Sequence, residues 1–356
     1  MFELKIFSKI ATFYQESQPF VVYRKPNAKE VLALFSKNDS LFLLEDFSDS
    51  GFVFAPFDAK EKPIFFPFNE FDFFSENINF IDEPFVKNNF SETEFQKENH
   101  QKIVEKAIQE IKNGSFQKVV ISRKESLSFK NFDVVLTYKK LLQNYPNAFV
   151  YVWFHPKVGL WLGATPETLL TVENLRFETM SLAGTQVADN LASVVWQQKE
   201  LEEQSLVTDF IESQLKNKVE RLQIGNPETV KAGNLFHLKT AISGTLHPSK
   251  SSLKELVESL HPTPAVCGLP RNIAKNFILE NENYNREFYT GFLGEMNVIS
   301  KESNANKTQL FVNLRCMKIE NDSANLFIGG GITKDSNPEK EWQETVSKSK
   351  TMKLVL

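Results

Sequence analysis

Only two cysteines, Cys267 and Cys316, occur in the 356 residues, and they form no C-x-x-C pair. A disulfide framework and a thiolate zinc site are thereby excluded, and a reducing, cytoplasmic setting is expected. Histidine is almost as scarce: five are scattered without an H-x-x-x-H pair, so no histidine metal centre is expected. No apolar run approaches the roughly 20 residues that a membrane span needs. The opening MFELKIFSKIATFYQ has lysines inside its apolar stretch and no small-residue cleavage site, so it does not read as a signal peptide. An excess of positive charge is also missing. The formal net charge is -4 with both signs interspersed, which argues against nucleic-acid binding. Phenylalanine, by contrast, is plentiful: 33 residues, read as core filling in a chain long enough to bury a substantial core.

Residues 1–94 alternate short apolar runs with turn-like breaks, in PFVVYRK, DSLFLLED, SGFVFAPF and KPIFFPF. The pattern predicts antiparallel strands, a strand-rich part of the same core as residues 95–356. The polar region around 90–100 is the weakest point in that continuity. KIVEKAIQEIKNGS then sets Ile103, Ala107, Ile108 and Ile111 at helical spacing and stops at Gly114. FQKVVISRK, FVYVWF and VGLWLGATPETLLTVE read as strands. KELEEQSLVTDFIESQLKNKVERL reads as one long helix with Leu206, Val207, Phe210, Ile211 and Leu215 on its apolar face. SLKELVESL and RNIAKNFILE predict further helices, and FYTGFLGEMNVIS, QLFVNLRCMKIE and ANLFIGGGI late strands. Strands in hairpin-like runs with interspersed helices predict an α+β class.

Chemistry first shows in GGGITKDSNPEKEWQETVSKSK. Ser336 stands three residues before Glu339 with Pro338 between them, a helix-start signature. Glu341, Glu344 and Lys348 then share one face, and the upstream glycines allow backbone N–H groups to approach an anion closely. Taken alone, such a face reads as solvated surface. A second E-x-x-E changes the weighting: Glu200 and Glu203 in KELEEQSLV, beside the apolar Val207. Two helices that each offer a carboxylate pair can meet around one hard cation, and carboxylates without histidine or thiolate favour Mg²⁺ over zinc. Lys118 sits in a strand-like run beside Val119, Val120 and Ile121. A lysine stripped of solvation there would suit a general base, whereas at a strand edge its head would stay solvated. Glu167 follows a Gly-Ala-Thr-Pro turn among apolar residues, where burial would keep it protonated as an acid; the alternative is a carboxylate capping a turn.

Together these segments resemble the chorismate-utilising enzymes, the family of isochorismate, salicylate, anthranilate and aminodeoxychorismate synthases. The resemblance runs from about residue 95 to the C-terminus, on KVVISR, GATPETLL, SLAGT, KELEEQ, FHLKTAISG, LHPTPAVCGLP, FYTGFLG, LRC, GGGI and PEKEWQET in the family's order. It implies one large α+β domain of layered antiparallel sheets flanked by helices. It further implies that Glu203 and Glu344 hold Mg²⁺ directly, that Glu200 and Glu341 act through bound water, and that the metal grips the ring carboxylate of chorismate. Arg315, the amides around Gly330 and Gly331, and Lys348 match groups that bind substrate carboxylates, and Gly184 and His237 match positions lining the same pocket.

Within the family, Lys118 resembles the lysine of members that add water to the ring, where anthranilate synthases usually carry glutamine. The implied roles are Lys118 as base at ring C2 and Glu167 as acid on the C4 hydroxyl. The family's frequent Glu-His in the first metal helix is Glu203-Gln204 here, and no tryptophan-binding element of the anthranilate synthase type is found. The expected activity is a Mg²⁺-dependent isochorismate synthase feeding menaquinone or catecholate siderophore synthesis, a self-sufficient monomer without a glutaminase subunit. Salicylate synthase, an ammonia-using synthase component and a non-catalytic chorismate-binding protein stay open as alternatives.

Overall fold

The computed structural model describes residues 5–78, 94–129, 131–186, 188, 190–232, 235–248, 251–300 and 303–356. Before residue 79 the chain forms α1 (Lys5–Gln15), β1 (Phe20–Arg24), β2 (Glu30–Phe35), β3 (Gly51–Ala55), β4 (Ile64–Pro67) and β5 (Asp72–Asn77). There follow α2 (Glu94–Lys112), β6 (Lys118–Ser128), α3 (Val134–Asn144), β7 (Phe149–His155), β8 (Gly159–Thr165), β9 (Thr168–Glu173) and β10 (Arg176–Gln186). Next come α4 (Gln198–Leu215), β11 (Val219–Ile224), β12 (Glu228–Ala232), β13 (Leu235–Leu246), α5 (Leu253–Leu260), β14 (Gly268–Leu269) and α6 (Arg271–Asn281). The chain closes with β15 (Phe292–Ile299), β16 (Asn306–Val312), β17 (Cys316–Glu320), β18 (Ser323–Ile332) and α7 (Pro338–Lys353).

The strands make two antiparallel sheets. One runs β14-β6-β18-β17-β8-β7-β1-β2-β5, the other β11-β13-β10-β9-β16-β15-β3-β4, with β12 added to β13. The early strands therefore divide, β1, β2 and β5 extending the first sheet and β3 and β4 the second. Between the sheets the aromatic residues meet: Tyr23, Phe52, Phe54, Trp153, Trp161, Phe288 and Phe311 form one buried cluster. Phe54 stacks on Phe288 and Phe149 on Phe311, each with ring centroids 4.2 Å apart. Such pairs add about 0.5–1.5 kcal/mol beyond the area they bury. On the outer face of the first sheet α1 and α3 pack through Ile6, Ile10, Tyr138 and Leu141, and on that of the second α4 and α5 pack through Val207, Phe210, Ile211 and Leu256. The result is the layered α+β architecture that the sequence predicts. Among the described residues no helix is long and apolar enough to cross a membrane.

Four local readings need correction. Residues 5–15 are helical, with Ile6, Phe7, Ile10 and Phe13 buried along one stripe; the intervening Lys5 and Lys9 obscure the period in the sequence. DSLFLLED is a loop that touches the second sheet only through a bridge between Leu43 and Ile64. Asn38 and Asp46 on either side accept backbone N–H groups two residues on, and this turn chemistry competes with strand pairing. The long helix ends at Leu215, because Val219 to Ile224 pair with β13 instead; strand pairing overrides helical patterning there. At the last helix the cap is Asn337, whose side chain accepts the Lys340 N–H at 3.1 Å, while Ser336 accepts the Thr333 N–H. The expected weak point around 90–100 falls partly outside the described residues.

Candidate active site

The first residue of β6 is fixed from both sides. β14 sets Leu269 opposite Lys118, and β18 sets Gly331 opposite Val120. Gly268 adopts φ 149°, and a Cβ there would stand 2.3 Å from the Lys118 carbonyl oxygen, so the approach of these strands requires glycine. Strand alternation sends Val119 and Ile121 into the core beneath α2 and α6, and Val120 to a pocket on the other face. Lys118 itself is 0% exposed, which excludes a solvated strand-edge head. Its Nζ stands 2.9 Å from Glu203 Oε1 of α4 and has no hydrogen-bond partner beyond that ion pair.

Glu167, Gly184, Glu203, His237, Arg315, Gly330, Gly331, Glu344 and Lys348 all line this pocket. α4 packs on β10 and α7 on β18, so the two E-x-x-E helices approach the same end of the structure. In α7 the Lys348 Nζ donates to Glu344 Oε1 at 2.6 Å and to the Gly329 carbonyl at 2.9 Å. Burial works to raise the Glu344 carboxyl, but Lys348, with Lys199 and Arg315 beyond it, holds it below the usual carboxylate range. Glu341 is 1% exposed, and its Oε1 accepts from Lys199 Nζ of α4 at 2.5 Å. Burial, then the neighbouring Glu344 charge, pushes Glu341 up to about 7 against the pull of Lys199. Glu200 is placed differently: its Oε2 accepts the Gln197 N–H at 2.9 Å and closes the capping box of α4.

These acids fit a hard cation by chemistry. Glu203 and Glu344 border one pocket, and Glu341 Oε2 is buried without a partner. Among the described residues no three histidine, cysteine or carboxylate groups converge as a ready cage. Mg²⁺, however, keeps several waters and takes only one or two carboxylates from a protein. Glu203 and Glu344 would serve as direct ligands, each now balanced by a lysine.

The glycines shape the space between these charges. A Cβ on Gly331 would stand 2.3 Å from Glu203 Oε1 and 3.1 Å from Lys118 Cε. Both atoms belong to movable side chains, so Gly331→Ala is expected to fold normally while pushing the carboxylate aside. The expected outcome is an unchanged melting temperature with weakened Mg²⁺ affinity in a calorimetric titration; unchanged affinity would show that the carboxylate has room to spare.

Glu167, which lines the pocket and is 3% exposed, follows β8. Burial raises its carboxyl to about 8, against the opposing charges of Lys118, Arg315 and Lys348. The shift favours the neutral carboxyl near pH 7, and the local bond to Thr165 Oγ1 comes from the Glu167 backbone N–H at 3.3 Å, not from the carboxylate. His237 in β13 is pushed down to about 3 by burial and by Arg315. Its Nδ1 donates to the Gly184 carbonyl at 2.9 Å, which leaves Nε2 as acceptor 3.4 Å from Arg315 Nη2. Arg315 Nη1 is buried with no partner, a free donor for an anionic group. A buried lysine, a carboxyl that burial raises and an unpartnered guanidinium nitrogen are the kinds of group that acid–base chemistry on an anion uses.

Two residues gain a role that local sequence does not show. Lys199 tethers α4 to α7 through Glu341, a contact between two helices that neither segment's local pattern shows. Gln204, the departure from Glu-His, donates from Nε2 to Ser181 Oγ at 2.9 Å and Thr240 Oγ1 at 3.0 Å. It thereby staples α4 to β10 and β13 beside Glu203.

A family model described as "Chorismate binding enzyme" matches residues 72–356. Isochorismate synthase DhbC of Bacillus subtilis (strain 168) is 30% identical over 274 residues, 72% of this chain and 67% of that protein. Isochorismate synthase EntC of Escherichia coli (strain K12) is 33% identical over 203 residues, 54% of this chain and 50% of that protein. The chain thus matches about two thirds of the first relative's length and half of the second's. The solved structure of MenF, the menaquinone-specific isochorismate synthase from Escherichia coli, superposes with a TM-score of 0.77 at 21% identity, covering 95% of this chain and 88% of that one.

Proposed function

The chain belongs to the chorismate binding enzyme family, and from that premise we propose that it is an isochorismate synthase, converting chorismate to isochorismate with Mg²⁺. The observation that carries this reading is a fully buried lysine, ion-paired at 2.9 Å to the pocket residue Glu203 and near enough to act electrostatically on the pocket carboxyl of Glu167, which burial raises to about 8. The similarity to isochorismate synthases supports the same conclusion.

In the proposed reaction Lys118 takes a proton from the water that forms the new C2–O bond. Glu167 gives its proton to the C4 oxygen as the C4–O bond breaks. One water enters at C2 and one leaves from C4, both ring double bonds shift (C1=C2 to C1=C6 and C5=C6 to C4=C5), and no redox change occurs. Arg315 Nη1, Lys348 and the amides at Gly330 and Gly331 hold the substrate carboxylates, so the ring stands between base and acid. Neutral His237 props the Arg315 guanidinium from behind. Mg²⁺, bound by Glu203 and Glu344 with Glu200 and Glu341 acting through water, would neutralise the ring carboxylate and orient it. Residues 95–356 would carry all of these groups, with residues 1–94 completing the core. No glutaminase subunit or second copy is needed for a hydration, so a self-sufficient monomer is proposed, its product feeding menaquinone or catecholate siderophore synthesis.

The test is an end-point product analysis with chorismate and Mg²⁺, run with and without ammonium. Isochorismate as sole product is expected. Salicylate with pyruvate would add an elimination, an amino product would overturn the role of Lys118, and binding without turnover would favour the non-catalytic reading. Glu344→Ala is expected to weaken Mg²⁺ and chorismate binding together. Unchanged Mg²⁺ affinity in a calorimetric titration would remove Glu344 from the ligand set.

A further inference from the structure

Thr290, on the pocket wall and 0% exposed, has φ 61°. A left-handed backbone at a β-branched residue is strained, and it persists only where the surroundings over-determine it. One restraint is Arg286, 2% exposed, whose guanidinium uses all five of its N–H donors. Nε and Nη2 donate to Glu282 Oε2 and Oε1 at 2.7 and 2.6 Å. Nη2 also donates to the Val120 carbonyl at 2.7 Å, and Nη1 to the Val266 carbonyl at 3.0 Å and Thr290 Oγ1 at 3.3 Å. Glu282 Oε1 in turn accepts from the Ser122 N–H at 2.7 Å and Oγ at 2.8 Å.

Val120, Val266 and Thr290 all line the pocket. They lie on three separate segments: β6 two residues after Lys118, the turn before β14, and the approach to β15. A buried ion pair is a weak source of net stability compared with apolar packing. Its geometric effect here is specific, since one planar fork sets the spacing of three backbone segments around the proposed reacting centre.

We propose that Arg286, oriented by Glu282, is a positioning residue that holds the β6 backbone carrying Lys118 in register with the pocket wall. This rests on the assignment of Lys118 as base. Arg286→Lys keeps the charge beside Glu282 but cannot span Val120, Val266 and Glu282 at once. It is expected to lower kcat by about 10- to 100-fold, as small misplacements of reacting groups do. The chorismate KM and Mg²⁺ affinity should stay within about twofold, because Arg315, Lys348 and the metal-binding acids are untouched.

Steady-state kinetics normalised to the folded fraction by circular dichroism read the split. A normalised kcat equal to the parent's, or a KM that rises with kcat unchanged, overturns the proposal. If Arg286→Lys does not fold, Glu282→Gln, which keeps the shape and weakens the grip on the guanidinium, must show the same selective loss of kcat or the proposal fails. The parent protein and Lys118→Ala are run alongside. A parent that makes no isochorismate, or a Lys118→Ala variant with normal turnover, overturns the base assignment and this inference with it. A failure confined to the Arg286 and Glu282 variants removes only the positioning role.

Discussion

Lys118→Ala is expected to lower kcat for isochorismate formation by about 10²–10⁴-fold, the usual contribution of a positioned general base. Chorismate binding should persist, because the variant leaves Arg315 and Lys348 in the pocket. The sign of the metal effect follows from the same ion pair. Lys118 Nζ is 2.9 Å from Glu203 Oε1, so its removal leaves Glu203 with one competing cation fewer. Mg²⁺ affinity should therefore hold or rise. Lys118→Gln, which retains most of the side-chain volume, should be as inactive as alanine with less loss of packing. End-point product analysis and calorimetric Mg²⁺ titration of both variants check the prediction. Near-normal turnover in either would transfer the base role to another group.

Glu167→Gln should show a comparable loss with a distinctive pH behaviour. The acid must carry its proton, and burial raises the carboxyl to about 8 from an ordinary 4.5. The parent's kcat/KM should accordingly fall as pH rises through about 8, and the variant should lose that limb together with most of its activity. Stability runs in the same direction for a linked reason. Between pH 4.5 and about 8 the folded chain keeps this proton while the unfolded chain has released it, so the group's contribution to stability is lost as pH rises across that window. Glutamine removes the penalty. The variant should thus be at least as stable as the parent at pH 9, although it is far less active. Denaturant titrations at pH 5 and pH 9 read the difference in slope, and a variant that is both inactive and unfolded at pH 9 would assign Glu167 a structural role.

By itself the sequence determined the class of the fold and pointed to Glu167, Gly184, Glu203, His237, Arg315, Gly330, Gly331, Glu344 and Lys348, which the structure gathers around one pocket. Short apolar runs such as FVYVWF, grouped in hairpin-like series with helices between them, gave the α+β class, and the layered arrangement came from the resemblance to the chorismate-utilising enzymes. Local patterning singled out Lys118, Glu167, the two acid helices and the glycine run, and the order of the motifs, through the family resemblance, implied their roles. Signals that depend on distant partners were not legible. DSLFLLED carries strand-like residues, but flanking Asn38 and Asp46 bind their own backbone. VERLQI continues a helical pattern until β13 claims it as a strand. The tertiary structure alone decided that Lys118 faces Glu203 rather than solvent, that Lys199 reaches Glu341 across two helices, and that Arg286 grips three segments scattered from residue 120 to residue 290. Charge pairing and burial are set by which elements meet in space, and a local pattern of residues carries no measure of that distance.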